Sequence, residues 1–424
     1  MCKHLKGLGD ILDSICIFED NLYENFLPLT YSRPVFELRC GFKSLREKIE
    51  YFFPEINKYL IMREYLKPLY SNEVKVNEPS EGNVLFINGR LLMKERPDIK
   101  NEGIYYYNDE VAFIYAKEKS MTNVNISTVK DIDKLKKIGL PEFKISNLNV
   151  IKYPWDLIKG NNNEIKREFL LYSKEGSKSQ ADIDIMGDTN LVYFGKNVET
   201  EKNIVFDVRK GPIYIGDNTR IRAFSRIAGP TYIGNNCLIK SGRIEDCSIG
   251  DVCKIGGEIE ESIFHSYTNK QHYGFIGHSY LGQWVNLGAG TSNSDLKDTY
   301  GKIKYKIGGK TIDSGEQFFG CVIGDNAKSS IGTMIYTGKK IGFAAHIHGT
   351  IYEDVPSFCM WGKSLGAEPS ELIFESAVTT YSRAAERRGI SLTKEYENLM
   401  KEIFEMTKEE RKDCGVSCNK FSLG

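Results

Sequence analysis

The chain has 424 residues, enough for two to three domains at about 150 residues each. Its 57 basic and 57 acidic residues cancel, which argues against broad electrostatic binding to nucleic acid or to an anionic membrane. With 41% hydrophobic and 27% charged residues the composition is that of a globular protein with a sizeable core. No apolar run approaches the roughly 20 residues of a membrane helix. No secretory signal is read at the N-terminus, and the ten cysteines are scattered without a CxxC pair. A reducing cytoplasm is therefore the expected compartment, with free thiols. Cys414 and Cys418, four apart, are only a weak metal signal.

Residues 15–20 (ICIFED) read as a buried strand ending in acids. A turn-rich stretch follows, and then VFELRCGFKSLREKIEYFF reads as a helix, with Leu38, Phe42, Leu45 and Ile49 at helical spacing. Residues 83–88 form a strand that breaks at Asn88-Gly89, and 104–107 with 111–115 form a hairpin around Asn108-Asp109. Strands interleaved with helices predict an α/β domain over 1–150. A helix within 153–172 and a polar linker, 174–190, fill the segment 151–190.

From about residue 190 an aliphatic residue followed by glycine recurs, as at Ile215-Gly216, Ile233-Gly234, Ile323-Gly324 and Ile341-Gly342. The spacing is 18 residues within each pair, and Ile215, Ile221, Ile227, Ile233 and Ile239 fall six apart. Six residues per side and three sides per turn describe a triangular coil whose stacked aliphatics fill the interior. Gly, Asn-Asn and Asp-Asn then turn the corners. The pattern predicts a parallel β-helix over 191–362, with loops at 292–318 and 260–274. Two helices broken at Gly389-Ile390, the second capped by Ser391 or Thr393, occupy a C-terminal segment 363–424.

Of six histidines, His4 lies in a terminal segment and the others in the repeat region. His272 has the best context for a general base, in an interruption of the repeat followed by a Gly288-Ala289-Gly290 run whose backbone a ligand can approach. Asn286 could orient that base or hold an acyl group. His278 sits at a coil corner, and His346 and His348 alternate outward; these three read as structural. In LPLTYSRPVFELRCG (27–41), Arg33 and Arg39 flank a turn before a helix and make a candidate phosphate site. Glu19, Asp20, Asp109 and Asp156 are candidate Mg²⁺ ligands. No Walker loop and no GxSxG is present.

LPLTYSRPVFELRCG resembles the signature of sugar-1-phosphate nucleotidyltransferases. Together with YPWDL, NLGAGT and VPSFCMWG, it makes residues 12–410 similar to a divergent bacterial branch of one family. This is the bifunctional UDP-N-acetylglucosamine diphosphorylase/glucosamine-1-phosphate N-acetyltransferases. The resemblance implies a Rossmann-like domain that takes UTP or dTTP and a sugar-1-phosphate with Mg²⁺. It also implies a left-handed β-helix that trimerises and binds acetyl-CoA between subunits. Residue by residue it implies His272 as catalytic base and Asn286 beside it. Gly288, Ala289, Gly290 and Ala344 would lie at acetyl-CoA, Arg243 and Phe275 at the sugar phosphate. Thr30, Arg33, Arg39 and Asn88 would lie at the nucleotide, and Asp20 and Asp156 at the metal. The chain departs from the family in four places. FEDNLYEN replaces the GxGTR loop, Val35 replaces a lysine, Asn88-Gly89-Arg90 replaces the metal-binding Gly-Asp, and Glu260 stands where the family has lysine. Two other classes fit the same residues: a nucleotidyltransferase whose β-helix only trimerises, and a non-catalytic binding or scaffold protein.

Overall fold

The computed structural model describes residues 12–121, 124, 126–173 and 183–423. Cys2, His4 and most of the expected linker, 174–182, lie outside the described residues. The chain divides into two compact units. The first holds the N-terminal residues to Phe26, then Arg33–Leu38 and Lys43–Tyr153. The second holds Leu27–Ser32, Arg39–Phe42 and Pro154–Gly424.

The first unit is built on a mixed seven-stranded sheet. Its strands are β1 (Ser14–Phe18), β2 (Asn57–Ile61), β3 (Lys75–Val76), β4 (Val84–Asn88), β5 (Gly103–Tyr107), β6 (Glu110–Ala116) and β7 (Glu142–Lys144), in spatial order 3-2-1-4-6-5-7. All five residues of β1 and of β4 are buried, as expected of central parallel strands covered on both faces. Asn108 and Asp109 turn the β5–β6 hairpin with positive φ, 46° and 65°. The helix expected from residue 35 begins later. Only Val35–Glu37 form a 3₁₀ turn, and helix α1 runs Leu45–Tyr51. Ser44 sets that start through a capping box with Glu47, so Leu38 and Phe42 precede the helix.

In the second unit the repeat forms a three-sided parallel β-helix. One side stacks Phe194, Ile215, Ile233, Ile249, Phe264, Leu281, Ile323 and Ile341 in direct register. A second stacks Phe206, Ile227, Ile244, Ile259 and Ile276. The third stacks Ile221, Ile239 and Ile255, and then Lys270. The inward aliphatics form one continuous buried core that Trp361 helps to close. Strand Asn269–Lys270 keeps the register through the expected 260–274 loop, so only the corner 271–274 projects there. The later insertion carries an antiparallel hairpin, Lys304–Ile307 with Lys310–Asp313.

Helix α2 (Pro154–Tyr172) buries Ile165 and Phe169 in one cluster with Phe42 and Tyr232. At the C-terminus come α3 (Phe374–Glu386), α4 (Lys394–Met406) and the short α5 (Lys408–Asp413). Thr393 is the N-cap of α4, accepting from the Tyr396 amide. Among the described residues no helix is long and apolar enough to cross a membrane.

Candidate functional site

The coil period places the chemistry. His272 lies on the corner 271–274, between two sides of the β-helix. Gly288, Ala289 and Gly290 form the same corner one coil on, and the two corners touch: the Gly290 amide donates to the Tyr273 carbonyl at 3.0 Å. Gly290 has φ +76°, and a Cβ there would lie 3.0 Å from the Tyr273 hydroxyl. Glycine therefore lets this corner close onto the one below. The His272 imidazole is exposed and makes no hydrogen bond among the described residues.

Of the backbone amides from 286 to 290, four are engaged. Asn286 N–H donates to Ala327 O (3.0 Å), Leu287 to Asn269 O (2.9 Å), Gly288 to Ser329 Oγ (3.0 Å) and Gly290 to Tyr273 O. The Ala289 amide has no partner among the described residues and remains able to donate to a ligand. The Asn286 side chain accepts from Asn269 Nδ2 at 3.3 Å and faces a cavity of about 300 Å³.

Lys270 explains how the His272 corner is held. It occupies an inward ladder position where the coils below have isoleucine, and it is fully buried. Its Nζ donates to the carbonyls of His272 (2.5 Å), Gly256 (3.2 Å) and Tyr273 (3.4 Å). Burial pulls its pKa down to about 8. Sequence reasoning missed this residue because the coil from Ile255 to Lys270 is 15 residues long, so the six-residue phase does not reach it.

A second constellation was also missed. His278, read as a structural corner residue, has φ 46° and its Nδ1 lies 2.8 Å from Asp295 Oδ2. Its Nε2 lies 3.4 Å from Glu261 Oε2, and its ring stacks on Phe318 at 5.1 Å. Burial alone would lower its pKa, but the hydrogen bonds to Asp295 and Glu261 outweigh that and raise it to about 9. The signal was the coil-to-coil spacing: Glu261, His278 and Asp295 stand 17 residues apart, one coil each.

The other expected site residues are placed as follows. Phe275 pairs in register with Glu258, which pairs with Arg243, so the three line one outer face. The Arg243 guanidinium is taken up by Glu245 (2.6 Å) and Glu258 (3.4 Å). Ala344 is buried with φ 53° on a different corner, stacked over Asp325 through a 2.8 Å hydrogen bond. It does not join the 288–290 corner.

The expected phosphate cluster is divided between the units. Arg33 and Asn88 belong to the first, Thr30 and Arg39 to the second. Arg39 is held in place by its neighbours: its amide donates to Tyr280 Oη (2.7 Å), and its guanidinium donates to the Phe42 carbonyl. Asn88 Nδ2 donates to Asp20 Oδ2 (3.0 Å) and to Val111 O (2.8 Å).

The acids do not fit a resident Mg²⁺. Both Asp20 oxygens accept from the buried Arg90 guanidinium at 2.6–3.1 Å, in a pair shared with Glu110. Glu19 accepts from Arg63 (2.9 and 3.1 Å) and from the Val35 amide (2.8 Å). Asp156 lies in the other unit, on α2. Among the described residues no group of three His, Cys, Asp or Glu side chains is arranged to hold a metal, and that includes Cys414 and Cys418.

Comparison with known proteins adds the family context. Residues 15–177 match the model of the sugar nucleotidyl transferase family, and 212–242 match the bacterial transferase hexapeptide repeat. A bifunctional sugar-1-phosphate nucleotidylyltransferase/acetyltransferase of Sulfurisphaera tokodaii is 28% identical over 296 residues, 65% of this chain and 66% of that protein. The chain is similar to this bifunctional transferase and carries matched regions of both kinds. The bifunctional protein GlmU of Methanocaldococcus jannaschii is 24% identical over 305 residues, 66% of each chain. The matched region thus spans just under two thirds of either relative. Among solved structures, a UDP-N-acetylglucosamine acyltransferase of Francisella novicida aligns with TM-score 0.30 and 18% identity, over 54% of this chain and 86% of that one.

Proposed function

We propose that the chain makes a nucleotide sugar by two transfers. The second unit would move the acetyl group of acetyl-CoA to the amine of glucosamine-1-phosphate or a similar amino-sugar phosphate. The first unit would join a sugar-1-phosphate to UTP or dTTP with loss of pyrophosphate. The observation that carries the reading is the contact between the His272 corner and the 288–290 corner. It brings the corner that carries the exposed His272 onto the corner of Ala289, whose amide has no partner among the described residues. In this reading His272 takes the proton from the sugar amine, the amine attacks the thioester carbonyl, and the Ala289 amide donates to the developing oxyanion. The C–S bond then breaks and CoA leaves as the thiol. Asn286 positions the substrate from the neighbouring strand. The alignment with bifunctional relatives supports both halves.

For nucleotidyl transfer, a sugar-phosphate oxygen would attack the α-phosphorus in line. No step is assigned to protein-held Mg²⁺, because Asp20 is committed to Arg90. Assembly as a homotrimer, with acetyl-CoA between subunits, belongs to the same proposal.

The test is thiol release from acetyl-CoA with glucosamine-1-phosphate. Wild type should release thiol, and His272→Ala should fall at least about a hundredfold, the scale of a lost general base. Equal rates would remove His272 from the mechanism. No release by wild type, with pyrophosphate still released from UTP or dTTP, would leave a nucleotidyltransferase with a structural β-helix.

A further inference from the structure

The cavity of about 300 Å³ beside Asn286 is lined from two directions by cations. Lys254 and Lys328 come from the outer face of the coils, in the register Lys254–Asn269–Asn286–Lys328. Arg383, Arg387 and Arg388 come from the end of α3 and the residues just after it. No carboxylate lines the cavity, and among the described residues none of these five side chains forms an ion pair. The nearest compensation is remote or neutral. Asp325 acts on Lys328 only at a distance and is occupied by Ser32 and the Gln283 amide. Arg388 donates to Asn269 Oδ1 at 2.8 Å, and Lys328 donates to the Trp284 and Asn326 carbonyls at 2.7 and 3.1 Å.

Arginines at a helix C-terminus complement the helix dipole. That accounts for α3 ending in arginine, but not for two lysines presented to the same space by another element. Burial already pulls Lys328 down to about 8, and Arg388 is lowered by burial and by Arg387. The folded chain thus holds like charges together without an internal counterion. Such a cluster is stable when an anion occupies it. Five cations exceed what a monoanion neutralises, and arginine forks match phosphoryl oxygens.

We propose that this cavity is a binding site for a diphosphate group, on a nucleotide or free. Binding of this kind stands whether or not acetyl transfer occurs. The two nucleotide sources on the page, the diphosphate of a nucleotide sugar and the 5′-diphosphate of CoA, share this chemistry.

The experiment titrates inorganic pyrophosphate into the full chain by calorimetry, at low and at moderate salt. It compares wild type, Arg383→Ala/Arg387→Ala, Arg387→Lys and the surface control Lys401→Ala. Thermal melts establish that each variant is folded. The expected result is a saturable event that weakens with salt, at least about tenfold weaker in the double alanine variant. Arg387→Lys should be intermediate and Lys401→Ala unchanged. Superimposable isotherms for wild type and the folded double variant would overturn the proposal, as would absence of saturable binding in wild type. UDP and CoA are titrated in parallel. The one whose affinity falls in the double variant identifies the source, and a fall for pyrophosphate alone assigns the site to the free anion. Failure of thiol release leaves these isotherms unchanged, so the two proposals fail separately.

Discussion

His278 shows how one side chain acquires a role from its place in a coil. Its ring is about 15% exposed and lies between Asp295 and Glu261, on the coils above and below. Its folded pKa, about 9, stands above the usual 6.5. A raised pKa stabilises the fold fully below the unfolded value, and that stabilisation is lost as pH rises through the folded value. The window is therefore pH 6.5 to 9, and a shift of that size corresponds to about 3 kcal/mol. His278→Gln should cost about that much near pH 6 and almost nothing above pH 9.5, measured by urea unfolding of both proteins at each pH. A cost that does not change with pH would show that His278 acts by packing on Phe318 and not by its charge. Lys270 is the contrasting case. Burial lowers its pKa, so it is retained for its three carbonyl contacts beneath the His272 corner and not for any charge partner.

At the scale of the element, the coil corners reveal what was legible in the sequence. The six-residue phase of Ile215 to Ile239 sufficed to predict the β-helix, because every sixth side chain must fill the interior. The same rule mistook the detail of the turn. Glycines 216, 234, 282 and 324 do not need a left-handed backbone; a Cβ at Gly216 would lie 2.5 Å from the backbone of Gly234 on the next coil. The left-handed residue comes two positions later: Asn218 (φ 55°), Asn236 (56°), Val252 (61°), Tyr267 (65°), Trp284 (61°), Asn326 (63°) and Ala344 (53°). Once the coil imposes that conformation, packing decides the side chain, so the asparagine signal disappears at four of the seven corners. The candidate site was legible within each corner taken by itself, His272 on one and 288–290 on the next. It was not legible where it depends on coil-to-coil contacts, as with Lys270, or on α3. Val252 gives the test. A β-branched residue is disfavoured at positive φ, whereas asparagine tolerates it. Val252→Asn should stabilise the chain by about 1 kcal/mol, read as a higher urea midpoint at unchanged slope. A lower midpoint would mean that the valine's apolar contacts outweigh its backbone strain.

At the scale of the whole molecule, the signature segment that resembles a nucleotide-binding motif is largely part of the β-helix unit. Ser32 Oγ donates to Asp325 Oδ2 at 2.6 Å, the Gly41 amide to Asn161 Oδ1 at 2.7 Å, and the Phe42 amide to Glu168 Oε2 at 2.7 Å. Gly41 has φ +75°, and a Cβ there would lie 2.4 Å from Glu168 Oε2. Phe42 stacks on Tyr232 at 4.3 Å and packs with Ile165 and Phe169. A fragment cut at residue 154 would keep every coil but lose these partners. Buried Leu29 and Phe42 are each worth about 1.5–3 kcal/mol of transferred apolar surface. Groups such as Glu168, 1% exposed, would lose hydrogen bonds worth about 1–3 kcal/mol apiece. The sum approaches the whole stability of an ordinary domain. The fragment 154–424 should therefore melt well below the full chain or aggregate, and a peptide covering 27–42 added in trans should raise its melting temperature. A fragment that melts within a few degrees of the full chain, and ignores the peptide, would show that the signature segment follows the β-helix without supporting it.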